Sequence, residues 1–249
     1  MILPDFNPVK YFRLTCYSIA VSIIFASVAV AEYKKPKTTS APDSRTTTST
    51  ATRGGCINKD NNLDLTAIAP YSHVGQTVST HPTFVWFVPD SEHFPLEFSL
   101  EEYTSDSQLN TVYRQELDSK PGIMSLSLPQ NLPDLRVGKK YRWKVVMRCT
   151  RYKAVVTMAE IEVVAPTPEL ETASSNISDA SIVDVYSSNG LWYNALETIN
   201  TADSPQILQE LIQQLAAVES ESNSTWAQQQ GQKLNYIGDR LKSDMTVER

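Results

Sequence analysis

Eight glycines, three histidines and three cysteines in 249 residues leave little material for the sites that most often carry chemistry. There is no GxGxxG and no GxxxxGK[ST], so neither a dinucleotide nor a nucleoside triphosphate finds its usual backbone cradle. The absence of GxSxG removes the strained turn that presents a hydrolase serine. His73, His81 and His93 form no HExxH and no other metal-ligand spacing. Cations are outnumbered: 22 Lys+Arg against 28 Asp+Glu give a net charge of −6, the wrong sign for a surface that must meet nucleic-acid phosphates. The 41% hydrophobic content excludes both a wholly disordered chain and one that crosses a membrane many times. No catalytic residue, metal ligand, cofactor-binding residue or cofactor is assigned, and no nucleic-acid partner is expected.

The long apolar run that is present lies at the start. Lys10 and Arg13 precede residues 14–30, which end in Ala29-Val30-Ala31. A basic start, a greasy centre and small residues at −3 and −1 predict a signal peptide over 1–31, cleaved after Ala31. The alternative is an anchor kept in the membrane; otherwise membrane contact ends with cleavage. Arg13 stands where a lipobox before Cys16 needs an aliphatic residue, so lipidation is not expected. Loss of Asp5, Lys10 and Arg13 takes the net charge from −6 to −7. Two cysteines remain, Cys56 and Cys149. In an oxidising exterior or periplasm an even thiol count points to one disulfide, the alternative being two buried free thiols.

Residues 32–55 are Lys, Pro, Ser and above all Thr, too poor in apolar surface to offset ordering entropy, and read as a disordered tether. Residues 56–165 then follow period two. Strands are predicted at 65–69, 83–88, 96–100, 111–117, 123–128, 140–149 and 154–164. The clearest sets Tyr141, Trp143, Val145, Met147 and Cys149 against Arg142, Lys144 and Arg148. Short strands of this kind, divided by turn residues, predict an antiparallel β-sandwich.

A Pro- and Thr-rich linker over 166–178 leads to a helical region, 179–249, where the period changes to about 3.6. Ile182, Val183 and Tyr186 line a first helix. Trp192, Ala195, Leu196 and Ile199 line a second, and Ser204-Pro205 opens a third whose stripe runs from Ile207 to Val218. A weaker fourth carries Trp226, Leu234, Ile237 and Leu241. Tyr186, Gly190, Ala195 and Leu196 match the middle of a tetratricopeptide-like repeat; with one copy present, a helical hairpin is the expectation.

Weaker candidates for chemistry remain. Asp90, Glu92 and His93 share one predicted loop, where a cation or an unrecognised hydrolase site would have its ligands. Asn58, Asp60, Asn62 and Asp64 alternate like a calcium loop, but its glycine and bidentate glutamate are missing. Arg142, Lys144 and Arg148 form a ladder that could face an anionic partner, or be balanced by glutamates on neighbouring strands.

Pro82-Thr83-Phe84-Val85-Trp86 resembles the start of the second strand of fibronectin-III-like domains, and LRVGKKYRW (135–143) resembles the corner before the sixth, where Tyr141 would bond a backbone group across the turn. Taken with Arg53-Gly54-Gly55-Cys56, PGIMSLSLP (121–129), VGKKYRWKVVMRC (137–149) and YSSNGLWYNAL (186–196), the chain resembles a cyanobacterial family of exported proteins catalogued as domain of unknown function 928. Thr150 stands where relatives often carry Asp. The resemblance implies compartment and fold, with no activity attached. The expectation is therefore an all-β-plus-α protein: an immunoglobulin/fibronectin-III-like sandwich followed by a small helical, tetratricopeptide-like hairpin region. Functionally it reads as a non-enzymatic protein- or ligand-binding module of the envelope, with Trp192 and Trp226 as candidate anchors for a protein partner if either is exposed. An envelope hydrolase and a purely structural component are the alternatives.

Overall fold

The computed structural model describes residues 31–42, 56, 64–89, 92–104, 108–168, 170, 172, 179–199 and 204–247. Among the described residues eight strands form two sheets: β1 (Thr66–Ala67), β2 (Gly75–Thr77), β3 (Thr83–Val88), β4 (Pro95–Tyr103), β5 (Leu109–Asp118), β6 (Gly122–Ser127), β7 (Lys140–Thr150) and β8 (Lys153–Val163). The smaller sheet is antiparallel in the order β1-β3-β6, and the larger runs β2-β8-β7-β4-β5. The larger sheet is mixed and not antiparallel throughout, because β2 pairs parallel to β8. That strand has no forerunner among the predicted ones: Gly-Gln-Thr is too short and too polar to show an alternation.

The inner faces of the sheets meet through aromatic rings. Phe84 on β3 lies 5.1 Å from Phe98 on β4 and 5.4 Å from Trp143 on β7. β3 is apolar on both faces because both are covered, and Phe84, Val85, Trp86, Phe87 and Val88 are all buried. Each such side chain contributes on the order of 2 kcal/mol. At the corner before β7, the Arg136 backbone N–H donates to the Tyr141 hydroxyl at 2.9 Å, the bond expected from the sequence.

Among the described residues from 179 onward are four helices: α1 (Asp179–Ser188), α2 (Trp192–Thr198), α3 (Pro205–Ser220) and α4 (Thr225–Val247). Pro205 opens α3, but the preceding Ser204 makes no side-chain capping bond. α3 and α4 join through four residues and pack as a hairpin. Gly231 permits the close approach, since a Cβ there would meet the Ala216 carbonyl oxygen at 2.8 Å. The buried stripe of α4 runs through Ala227, Gln230, Leu234 and Ile237, which leaves Trp226 off it.

These helices are not an independent appendage. The Gln230 amide of α4 donates to the Ala67 carbonyl at 2.7 Å, and the Arg240 guanidinium lies 5.6 Å from the centre of the Phe87 ring. Buried residues of both sheets and of all four helices belong to one apolar cluster.

The expected tether departs most from expectation. Residues 31–42 are seated on the fold, whereas 43–55 lie outside the described residues. Lys34 N–H donates to the Ser187 carbonyl, Tyr33 N–H to Gln214 Oε1, and Val74 N–H to the Ser40 carbonyl. Pro36 is buried against Gly190, whose φ of 76° and missing Cβ make the turn and the contact feasible; a Cβ would meet Pro36 Cγ at 2.7 Å. Tyr33, the one aromatic in this Thr-rich stretch, is 1% exposed and packs edge-on against Trp192 at 5.1 Å. One buried ring supplies the surface that composition alone denied.

Candidate functional site

Tyr33 leads into a buried polar chain. Its hydroxyl lies 2.8 Å from His73 Nε2, His73 Nδ1 lies 2.8 Å from Ser72 Oγ, and Ser72 Oγ donates to Glu219 Oε1 at 2.7 Å. Ser72 N–H donates to the second carboxylate oxygen at 2.8 Å. Three elements meet here: the N-terminal strap, the loop before β2, and α3, which carries Glu219 in its apolar stripe. Burial pushes the Glu219 carboxyl up to about 7, against the bonds from Ser72. The same burial, with Lys35 adding to it, pushes His73 down to about 3. His73 is therefore neutral, and its 3.9 Å separation from Glu219 is not an ion pair. Above about pH 7, where Glu219 is ionised, one assignment satisfies every member: Tyr33 O–H to Nε2, Nδ1–H to Ser72, Ser72 O–H to the Glu219 carboxylate. In this assignment Nδ1 carries a proton toward Ser72 and does not take one from it, and the chain fastens three elements together.

Beside it opens a cleft of about 300 Å³, walled by Pro42, Pro70, Tyr71, Met158 and Ala159, with Trp226 at its edge. Its floor is mostly apolar. Two of the polar groups that reach it are engaged internally: Ser72 by Glu219, and Glu160 by the Tyr103 hydroxyl at 2.7 Å. Burial raises the Tyr71 hydroxyl to about 12. Walls of this kind can hold an apolar or aromatic group.

The structure separates the two candidate anchors. Trp192 is fully buried, its indole N–H donating to the Ile68 carbonyl at 2.9 Å, so it is core and unavailable to a partner. The i, i+3, i+4 stripe that contains it signals this burial. Trp226 is 46% exposed and borders the cleft.

The basic ladder is balanced by acids on β4. Arg142 lies 2.6 Å and Lys144 3.5 Å from Glu101, and Arg148 lies 3.2 Å from Glu97. Cys56 and Cys149 are joined in a disulfide. His93 Nδ1 lies 2.6 Å from the Ser119 carbonyl, which ties its ring to the backbone; Asp90 lies outside the described residues. So do Asn58, Asp60 and Asn62, while Asp64 pairs with Lys233 at 3.1 Å. Among the described residues no group of His, Cys, Asp and Glu could hold a metal ion, and no helix is long and apolar enough to cross a membrane.

Sequence reasoning missed Tyr33, Ser72 and Glu219. Two signals were there: a lone aromatic in a Thr-rich stretch, and a carboxylate in register with Leu208, Leu211, Leu215 and Ala216 on α3.

Among solved structures, the chain is similar to a Bacteroides uniformis β-glucuronidase 2, covalently bound to cyclophellitol-6-carboxylate aziridine. Identity is 17% and the TM-score 0.21, over 33% of this chain and 11% of that one. That likeness carries no inference about fold or activity. No curated protein matches. The profile of the family described as Domain of Unknown Function (DUF928) matches residues 48–230, well over half of the chain, and the protein belongs to that family.

Proposed function

We propose that this protein is an exported, non-enzymatic binding module of the cell envelope that captures a partner through the cleft beside Trp226. The observation that carries this reading is the pairing of an open, mostly apolar cleft with a half-exposed indole in its lining, Ser72 and Glu160 beside it being engaged internally. Aromatic anchors beside apolar pockets are where binding energy concentrates. The occupant that fits is a segment of a protein partner bearing an apolar or aromatic side chain.

Export is supported by the basic start, apolar run and Ala29-Val30-Ala31 of the sequence, and by a disulfide, which persists in oxidising compartments. An immunoglobulin/fibronectin-III-like reading of the sheets draws support from the Tyr141 corner and from Trp86 and Trp143 between them. The tetratricopeptide-like reading of α1 and α2 draws support from Gly190 and the buried Ala195.

Affinity purification of the processed chain from its host's envelope, wild type beside Trp226→Ala and Met158→Glu, tests the binding reading. A partner retained by the wild type and lost by both variants, with the fold intact, is the expected result. Retention by both variants, or turnover of ester, amide or glycoside substrates, would contradict it.

A further inference from the structure

A sheet edge offers unpaired N–H and C=O groups to any strand that reaches it, and proteins blunt such edges by shortness, covering, proline or inward-pointing charge. Two of the four edges here are managed in this way, and a third is of ordinary length. β1 has two residues. β2 has three and is roofed by the strap, through the Val74–Ser40 bond and the Thr39 hydroxyl on the Val74 carbonyl at 2.9 Å. β6 has six, opening on Gly122 at φ 87°. The outer edge of β5 is longer: ten residues, neither Pro nor Gly, with a bulge at Val112 that leaves 113–118 as its regular part, and no strand beyond it among the described residues. Its inward positions, opposite Leu100, Phe98 and Leu96 of β4, are Tyr113, Gln115 and Leu117, none of them charged. Tyr113 and Leu117 are only partly buried at the rim of the core.

On the outward face β5 carries opposite charges two residues apart, Arg114 and Glu116, both exposed. Arg114 has one weak internal contact, 3.7 Å from Glu97, with more than half of its side chain in solvent. A strand with this pattern is complementary to itself. In an antiparallel pair centred on Gln115, Arg114 of each copy stands opposite Glu116 of the other, and Tyr113 opposite Leu117. Centring on Arg114 or on Glu116 sets like charges face to face. Centring between two residues puts inward side chains opposite outward ones. Of the registers centred within 114–116, the one on Gln115 joins unlike charges without a like pair and continues the apolar seam.

We propose that β5 pairs with β5 of a second copy in this register, making a two-fold symmetric dimer with one continuous sheet. The interface lies on a different element from the cleft, so it does not depend on that site's role.

Sedimentation of the processed chain across the micromolar range tests it, with charge swaps as the probe. Arg114→Glu and Glu116→Arg should each weaken the dimer by at least about tenfold, since each turns both symmetry-related pairs into like charges. The double variant restores unlike pairs and should return the affinity to within about threefold of wild type. Gln115→Cys sets two thiols on the two-fold axis and should yield a dimer cross-linked through residue 115 on mild oxidation. A monomeric wild type, a dimer indifferent to the single swaps, a natively folded double variant that fails to recover, or no cross-link at 115 would overturn the proposal.

Discussion

The indole N–H of Trp143, on β7, donates to the hydroxyl of Tyr193, on α2, at 2.8 Å, and that hydroxyl donates in turn to the Glu160 carbonyl at 3.1 Å. Sheet and helix thus share a fully buried polar contact as well as apolar surface. Tyr193→Phe leaves the Trp143 donor buried without a partner and should cost about 2 kcal/mol. Because one cluster spans both regions, urea unfolding followed by indole fluorescence and by helical circular dichroism should give coincident transitions in wild type and variant. Separate transitions would show that the helices fold on their own.

The strap gives a second expectation. Tyr33→Ala removes a buried ring packed on Trp192 and hydrogen-bonded to His73, and should cost about 3 kcal/mol or more. Gly190→Ala should release the strap as well, because its Cβ would strike Pro36 at a positive φ. Limited proteolysis checks both: cleavage within 31–42 should be slow in wild type and fast in either variant.

Glu219 and His73 should impose opposite pH dependences. Between about 4.5 and about 7 the folded state holds a proton on Glu219 that the unfolded chain has lost, so stability from this group falls as pH rises through that window. Between about 3 and 6.5 the unfolded chain holds a proton that folded His73 has lost, so stability from His73 rises with pH. From 4.5 to 6.5 the two slopes cancel. Glu219→Gln should unmask the His73 rise, and its stability relative to wild type should grow by roughly 3 kcal/mol between the ends of the Glu219 window. Denaturant midpoints across pH measure this difference; one that does not vary with pH would contradict the buried, raised carboxyl.

The disulfide closes a long loop, its cysteines standing 93 positions apart in sequence. Cys56→Ala with Cys149→Ala should cost about 4 kcal/mol by freeing the unfolded chain. Thermal unfolding of the double variant beside the oxidised wild type checks this.

What was legible in the sequence follows from how locally each feature is determined. β3 and β7 were readable because burial on a pleated sheet writes itself into consecutive side chains: TFVWFV apolar throughout, KYRWKVVM alternating. β2 was not, because its three residues are held by neighbours far along the chain. Trp192 lay in a helical stripe that marked it as core, whereas Trp226 sits one position off the α4 stripe, and its exposure depends on how α4 seats. The site was the least legible part. Ser72 and Glu219 are 147 residues apart, and Tyr33 enters from a segment whose composition speaks for disorder. Spacing rules detect ligands carried on one element, not a meeting of three.

The cleft bordered by Trp226 is the centre of the functional account, and hydrogen exchange tests it most directly. With the molecule that co-elutes from the envelope added to the processed chain, amide exchange should slow at 70–72, 158–160 and 224–228 and stay unchanged on the outward face of β7. Protection centred on Arg142, Lys144 and Arg148 instead, with the cleft unaffected, would contradict it.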